Sequence, residues 1–157
     1  MSAGDRIDSD YMRIALRQAQ AAFDEGEVPV GAVIVHSNRV IAKAHNQKEC
    51  LRDPTAHAEM IAITQAAAEL GNWCLAGCVM YVTLEPCPMC TGALVLARVS
   101  RLVIGARDPK TGACGSVMDL SAHPRLNHGV DVSFGVMADE SSDLLKRFFL
   151  RKRMENN

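Results

Sequence analysis

His57 and Glu59 lie two apart in TAHAEM (55–60), and Cys87 and Cys90 lie three apart in EPCPMC (85–90). Neutral imidazole and thiolate are the donors that zinc accepts, usually in tetrahedral sites, and a catalytic zinc keeps one corner for water. Three protein ligands are therefore wanted. Cys87 and Cys90 sit across a strand-to-helix turn, where both sulfurs can face one point and a helix N-terminus favours thiolate. His57, at the start of another helix, is the natural third. Glu59 follows it by two residues, about 200° around a helix, so it is placed to reach the metal's water and not the metal. A carboxylate there can take a proton from the attacking water and return it to a leaving amine, base and then acid in one group.

Each piece alone has an ordinary explanation. A CxxC in an α/β chain can be a thioredoxin-like redox pair, and a histidine at a helix start usually packs or caps. The two motifs together meet both the ligand and the proton-transfer requirement, which neither explanation does.

The elements that must hold these residues can be read from periodicity and turn chemistry. Apolar residues at Met12, Ala15, Leu16, Ala19 and Phe23 predict an amphipathic helix from Ser9 to Gly26. VPVGAVIV and VIAKA, joined by SNR, read as a hairpin with Asn38 in an unusual backbone conformation. The loop HNQKECLRDP ends in Pro54, leaving Thr55 as the expected cap of a helix that stops at Gly71. CVMYVTL is a buried strand delivering the chain to Glu85, PMCTGALVLARV a helix with Pro88 in its first turn, and RLVIGA another strand. RDPKTGACGS reads as a loop, VDVSFGV as a weak strand, and the chain closes in a helix from about Asp139 to Arg153. Alternating strands and helices indicate a layered α/β domain, and 157 residues without linker or repeat indicate a single one, residues 1–157.

Composition narrows the setting. Apolar residues make up 48% and charged residues 22%, as in a globular protein. MSAGDRIDSD has no apolar core to match a signal peptide, and no run is long enough to span a bilayer, so a cytoplasmic protein without membrane contact is expected. Six cysteines are few for a disulfide scaffold; Cys50, Cys74, Cys78 and Cys114 are expected as free thiols. A net charge of −1 excludes a general polyanion-binding surface, so any nucleic-acid contact is local. The basic cluster in KRFFLRKRMENN could provide it, or could be a solvated helix end.

H-x-E with P-C-x-x-C is the signature of zinc nucleobase deaminases. VPVGAVIV (28–35), HN (45–46), DPTAHAEM (53–60), YVTLEPCPMC (81–90), GARDPKTGACGSVMDL (105–120) and HPRLNH (123–128) occur in that order, followed by the FF pair with basic residues in the last helix. On these segments the chain resembles the bacterial tRNA-specific adenosine deaminases, within the cytidine deaminase-like superfamily, over nearly its whole length. The resemblance implies a three-layer α/β/α fold with a central mixed five-stranded sheet, one zinc ion per subunit, and a homodimer. It implies hydrolytic deamination of adenosine to inosine at the wobble position of an arginine tRNA anticodon. His57, Cys87 and Cys90 would hold zinc, Glu59 would shuttle protons, and Asn46 would contact the target nucleotide. Asp108, Lys110, Phe149 and Arg153 would touch flanking nucleotides of the anticodon stem-loop.

Two other readings stay open at this level. A free-base or nucleoside deaminase for guanine or cytosine would use the same centre. A non-catalytic, zinc-stabilised RNA-binding protein is a third possibility, against which stands Glu59, a residue that a site closed by four ligands has no use for.

Overall fold

The computed structural model describes residues 1–157. Its elements run α1 (Ala3–Asp24), β1 (Gly31–His36), β2 (Arg39–His45), α2 (Lys48–Leu51), α3 (Ala58–Leu70), β3 (Cys78–Leu84), α4 (Pro88–Leu96), β4 (Arg101–Ala106), β5 (Asp131–Phe134) and α5 (Ala138–Glu155). The five strands form one mixed sheet in the order β2-β1-β3-β4-β5. β1 pairs antiparallel with β2 and β3, whereas β3, β4 and β5 run parallel. The expected three-layer fold is therefore present.

One face of the sheet carries α3 and α4. Ile34, Met80, Val82, Leu102 and Ile104 point into that layer and meet Ala58, Ala62, Ala66 and Leu94. The other face carries α1 and α5; there Val33, Val35, Tyr81 and Val103 meet Met12 and Ala15. The alternation of adjacent residues between the two clusters is the period-2 pattern of a sheet buried on both faces. α1 lies close on β1 at Gly31, where any Cβ would run into the Ala15 carbonyl and the Ala19 amide.

A polar pin crosses this second layer. Asp8 on α1 accepts hydrogen bonds from both terminal nitrogens of Arg101 on β4, at 2.9 and 2.8 Å, and from the Tyr81 hydroxyl on β3 at 2.9 Å. Arg101 also donates to Ser133 on β5. Fork-shaped, charge-assisted bonds of this kind are the strong ones. Asp8→Ala is expected to destabilise the protein by about 2 kcal/mol, the range of a hydrogen bond to a charged group; an unchanged urea midpoint would count the pin among ion pairs that contribute nothing.

Several boundaries differ from those expected. α1 begins six residues earlier, because Ser2 and Asp5 form a reciprocal capping box. The hairpin turn uses positive φ at both Ser37 and Asn38, the two-residue turn that matches strand twist. α3 is not capped by Thr55, whose side chain bonds Asp53. Its first free amide, Ala58 N–H, donates instead to Asn46 Oδ1 at 2.8 Å, from a residue distant in sequence. The loop after β2 contains the short α2, held by the buried Glu27 carboxylate, which accepts from Glu49 and Cys50 N–H.

Candidate active site

The ends of three elements converge at the carboxyl edge of β3. His57 is the N-cap of α3 and Cys87 the N-cap of α4, and neither makes a side-chain capping bond, so both side chains are free to turn towards one point. Pro88 occupies the first position of α4, where its missing N–H costs nothing. Cys90, one turn in, is fully buried.

His57 Nδ1 lies 3.7 Å from Cys87 Sγ and 3.5 Å from Cys90 Sγ. All three ligand atoms lie within 4.8 Å of one another. A tetrahedral zinc with bonds of about 2.3 Å to sulfur and about 2.05 Å to nitrogen requires ligand atoms about 3.6 Å apart. These separations are thus the edges of a ligand tetrahedron, and the donor set fits zinc.

Without an ion the site holds its protons unevenly. Cys87 is drawn down to about 4, first by the hydrogen bond from Cys90 and, against the cost of burial, by His57. Cys90 is pushed up by donating to Cys87 and by burial. His57 is raised, chiefly through its bond with Cys87. A bound divalent cation would keep Cys87 as thiolate and favour thiolate at Cys90 and neutral imidazole at His57 as well.

Glu59 sits on the first turn of α3 with 4% of its surface exposed. Burial pushes its carboxyl above the ordinary range, the direction wanted of a group that must both accept and return a proton. It lines a cavity of about 150 Å³ together with His57, Cys87, Asn46, Val28, Val30, Leu84 and Glu85. Val28, Val30 and Leu84 form apolar walls and Lys48 and Thr111 stand at the same cavity. Asn46 is 7% exposed; its Oδ1 accepts from Ala58 N–H, which leaves both amide N–H groups available to a ligand.

The cavity opens through Val28, Leu84, Asp108 and Thr111 into a groove of about 810 Å³ between the 107–116 loop and α5. Arg107, Lys110, Lys146, Lys152 and Arg153 give the groove a cationic lining, and Phe149 lies in it. Phe148 is core and Phe149 is 46% exposed, so the pair divides between packing and surface. Asp108 turns its carboxylate into its own loop, accepting from Lys110 N–H, Thr111 N–H and the Thr111 hydroxyl. Arg151 faces away from the groove, over the Phe23 ring of α1 at 4.3 Å.

The structure therefore brings together His57, Glu59, Cys87 and Asn46 in one cavity, with Cys90 buried against His57, and Asp108, Lys110, Phe149 and Arg153 along the adjoining groove. Sequence reasoning missed the apolar walls, Lys48 and Glu85. The walls sit in VPVGAV and at the end of CVMYVTL, where apolar residues read equally well as strand core.

Residues 5–106 match the family model for the cytidine and deoxycytidylate deaminase zinc-binding region. The chain is 48% identical over 148 residues to a tRNA-specific adenosine deaminase of Bacillus subtilis, spanning 93% of this chain and 92% of that one. It is equally 48% identical over 147 residues to a tRNA-specific adenosine deaminase of Aquifex aeolicus, spanning 94% and 95%. The chain belongs to the tRNA-specific adenosine deaminase family. A solved structure from a study of A-to-I editing by tRNA:A34 deaminases at the wobble position superposes with a TM-score of 0.84 at 44% identity, covering 87% of this chain and 99% of that one. The guanine deaminase of Nitrosomonas europaea gives 0.72 at 27% identity, with 87% and 81% covered. As a member of the tRNA-specific adenosine deaminase family the chain is a zinc-dependent hydrolytic deaminase, with one ion per subunit.

Proposed function

We propose that this chain converts adenosine to inosine at the wobble position of a tRNA anticodon, that of an arginine tRNA, and that it does so as a cytoplasmic homodimer. The observation that carries the reading is the junction of a buried Glu59 and a zinc-ligand triangle with a cationic groove of about 810 Å³. A single-stranded anticodon loop can splay one base into such a cavity while its backbone tracks basic side chains. No helix is long and apolar enough to cross a membrane. Leu51, Leu96, Val117 and Met118 are exposed apolar residues of the kind that the proposed second subunit would cover.

The chemistry adds water to C6 of adenine and expels ammonia. Zinc, when bound by His57, Cys87 and Cys90, acidifies water for attack. Glu59 would accept one proton from that water and pass it to N1 as the C6–O bond forms, then accept the proton of the new hydroxyl and pass it to the amino group as the C6–N6 bond breaks, leaving inosine and ammonia. Asn46 donates from its amide to an acceptor on the target nucleotide, and Val28, Val30 and Leu84 exclude water from the base faces. Lys110, Phe149 and Arg153, with the Asp108 turn, hold the flanking nucleotides.

The deciding experiment follows inosine formation in an arginine tRNA transcript with adenosine at the wobble position, beside free guanine, cytosine and adenosine, with Glu59→Gln as control. Inosine at that position, absent in the control, is the expected result. Ammonia from guanine or cytosine with unchanged tRNA would move the protein to the free-base reading, which its likeness to the guanine deaminase supports. Changing Lys152 and Arg153 together to Ala should reduce the magnitude of the salt slope of tRNA binding by about 1.4, at about 0.7 per single-strand phosphate contact. An unchanged slope would return both residues to solvent.

A further inference from the structure

Glu85 leaves β3 two residues before Cys87, lines the cavity and is 2% exposed, yet no step of the reaction uses it. A carboxylate presents about four acceptor sites. The 107–116 loop fills all of them. Oε1 accepts from Asp108 N–H at 3.1 Å and from the Ser116 hydroxyl; Oε2 accepts from Cys114 N–H at 3.0 Å and Ser116 N–H at 3.1 Å. Nothing is left over for a substrate atom or for water. The loop is also packed onto this carboxylate from above, since a Cβ at Gly112 would collide with it and with the Asp108 carbonyl. Gly112 has no positive φ to explain its presence, so close approach is what the position demands.

We infer that Glu85 is a positioning residue that fixes the 107–116 loop over the cavity mouth, and so sets the grip on nucleotides flanking the target without taking part at the metal. Its four bonds span the loop from Asp108 to Ser116, and the Asp108 turn they anchor presents Lys110 and Thr111 at the entrance to the groove. The inference rests on the tRNA reading above.

Glu85→Gln preserves shape but sets an NH2 group against a backbone N–H whichever way its amide turns, since each carboxylate oxygen accepts from at least one loop N–H. Gly112→Ala leaves Glu85 chemically intact and lifts the loop off it. With a full-length tRNA substrate, each variant is expected to raise KM about tenfold, the loss of one charge-assisted bond, with kcat changed much less and zinc stoichiometric. The double variant should be little worse than either alone, because both act through one contact. Amide hydrogen exchange at Asp108, Cys114 and Ser116 should quicken in Glu85→Gln. An unchanged KM, a loss confined to kcat, a loss of zinc, or multiplicative effects would each overturn the assignment. Should the wild type act on free guanine and not on tRNA, the tRNA reading falls, and exchange alone judges the anchor: faster exchange supports it and unchanged exchange overturns it.

Discussion

Glu59→Gln should keep one zinc per subunit and melt at or above the wild-type temperature, yet lose turnover by a factor of about 10³, within the usual range for a positioned general acid–base group. The reason lies in the cavity. Glu59 is almost wholly enclosed, and burial disfavours its charge, so a neutral isostere of the same size costs the fold nothing. The same change removes the only carboxylate beside the ligand triangle that is not already committed, since Glu85 is saturated by the loop. Steady-state rates, metal content and thermal melting on one preparation check the prediction. Turnover within about tenfold of wild type would remove Glu59 from its role.

Cys87→Ala should do the reverse and damage metal content and stability together. A ligand that binds only the native state stabilises it by RT ln(1 + [L]/Kd), about 4 kcal/mol at a thousandfold excess over Kd. For a domain of this size that corresponds to a fall of about 10 °C in melting temperature. A strong chelator should bring the wild type down to the variant's melting temperature and leave the variant unmoved, because the triangle then lacks a corner. Stoichiometric zinc in Cys87→Ala would refute the ligand set.

The metal triangle was legible because its chemistry leaves a short-range signature. His57 and Cys87 occupy helix-start positions, and Cys90 follows at helical spacing, so residue type and periodicity point the same way. Strands β3 and β4 were equally legible as short apolar runs bounded by turn residues. What escaped depends on contacts between distant segments. Nothing local to Asn46 says that its side chain caps α3, and nothing local to Glu27 says that it anchors α2. A buried glutamate in EPC looks like a surface charge until the loop about thirty residues later closes over it. In the last helix the two adjacent phenylalanines diverge by about 100°, so only Phe148 is enclosed and Phe149 is left at the surface.

The layering has a consequence for sequence variation. The three proposed metal ligands and Glu59, proposed to carry the proton, belong to the α3–α4 side of the sheet or its edge, whereas Lys146, Phe149, Lys152 and Arg153 hang from α5 on the opposite side. The α5 side chains of the groove and the ligand triangle therefore hang from opposite faces of one sheet. The exposed positions of the terminal helix can vary without touching the ligand triangle. A substitution confined to those cations should change which strand the groove admits while leaving metal content as it was.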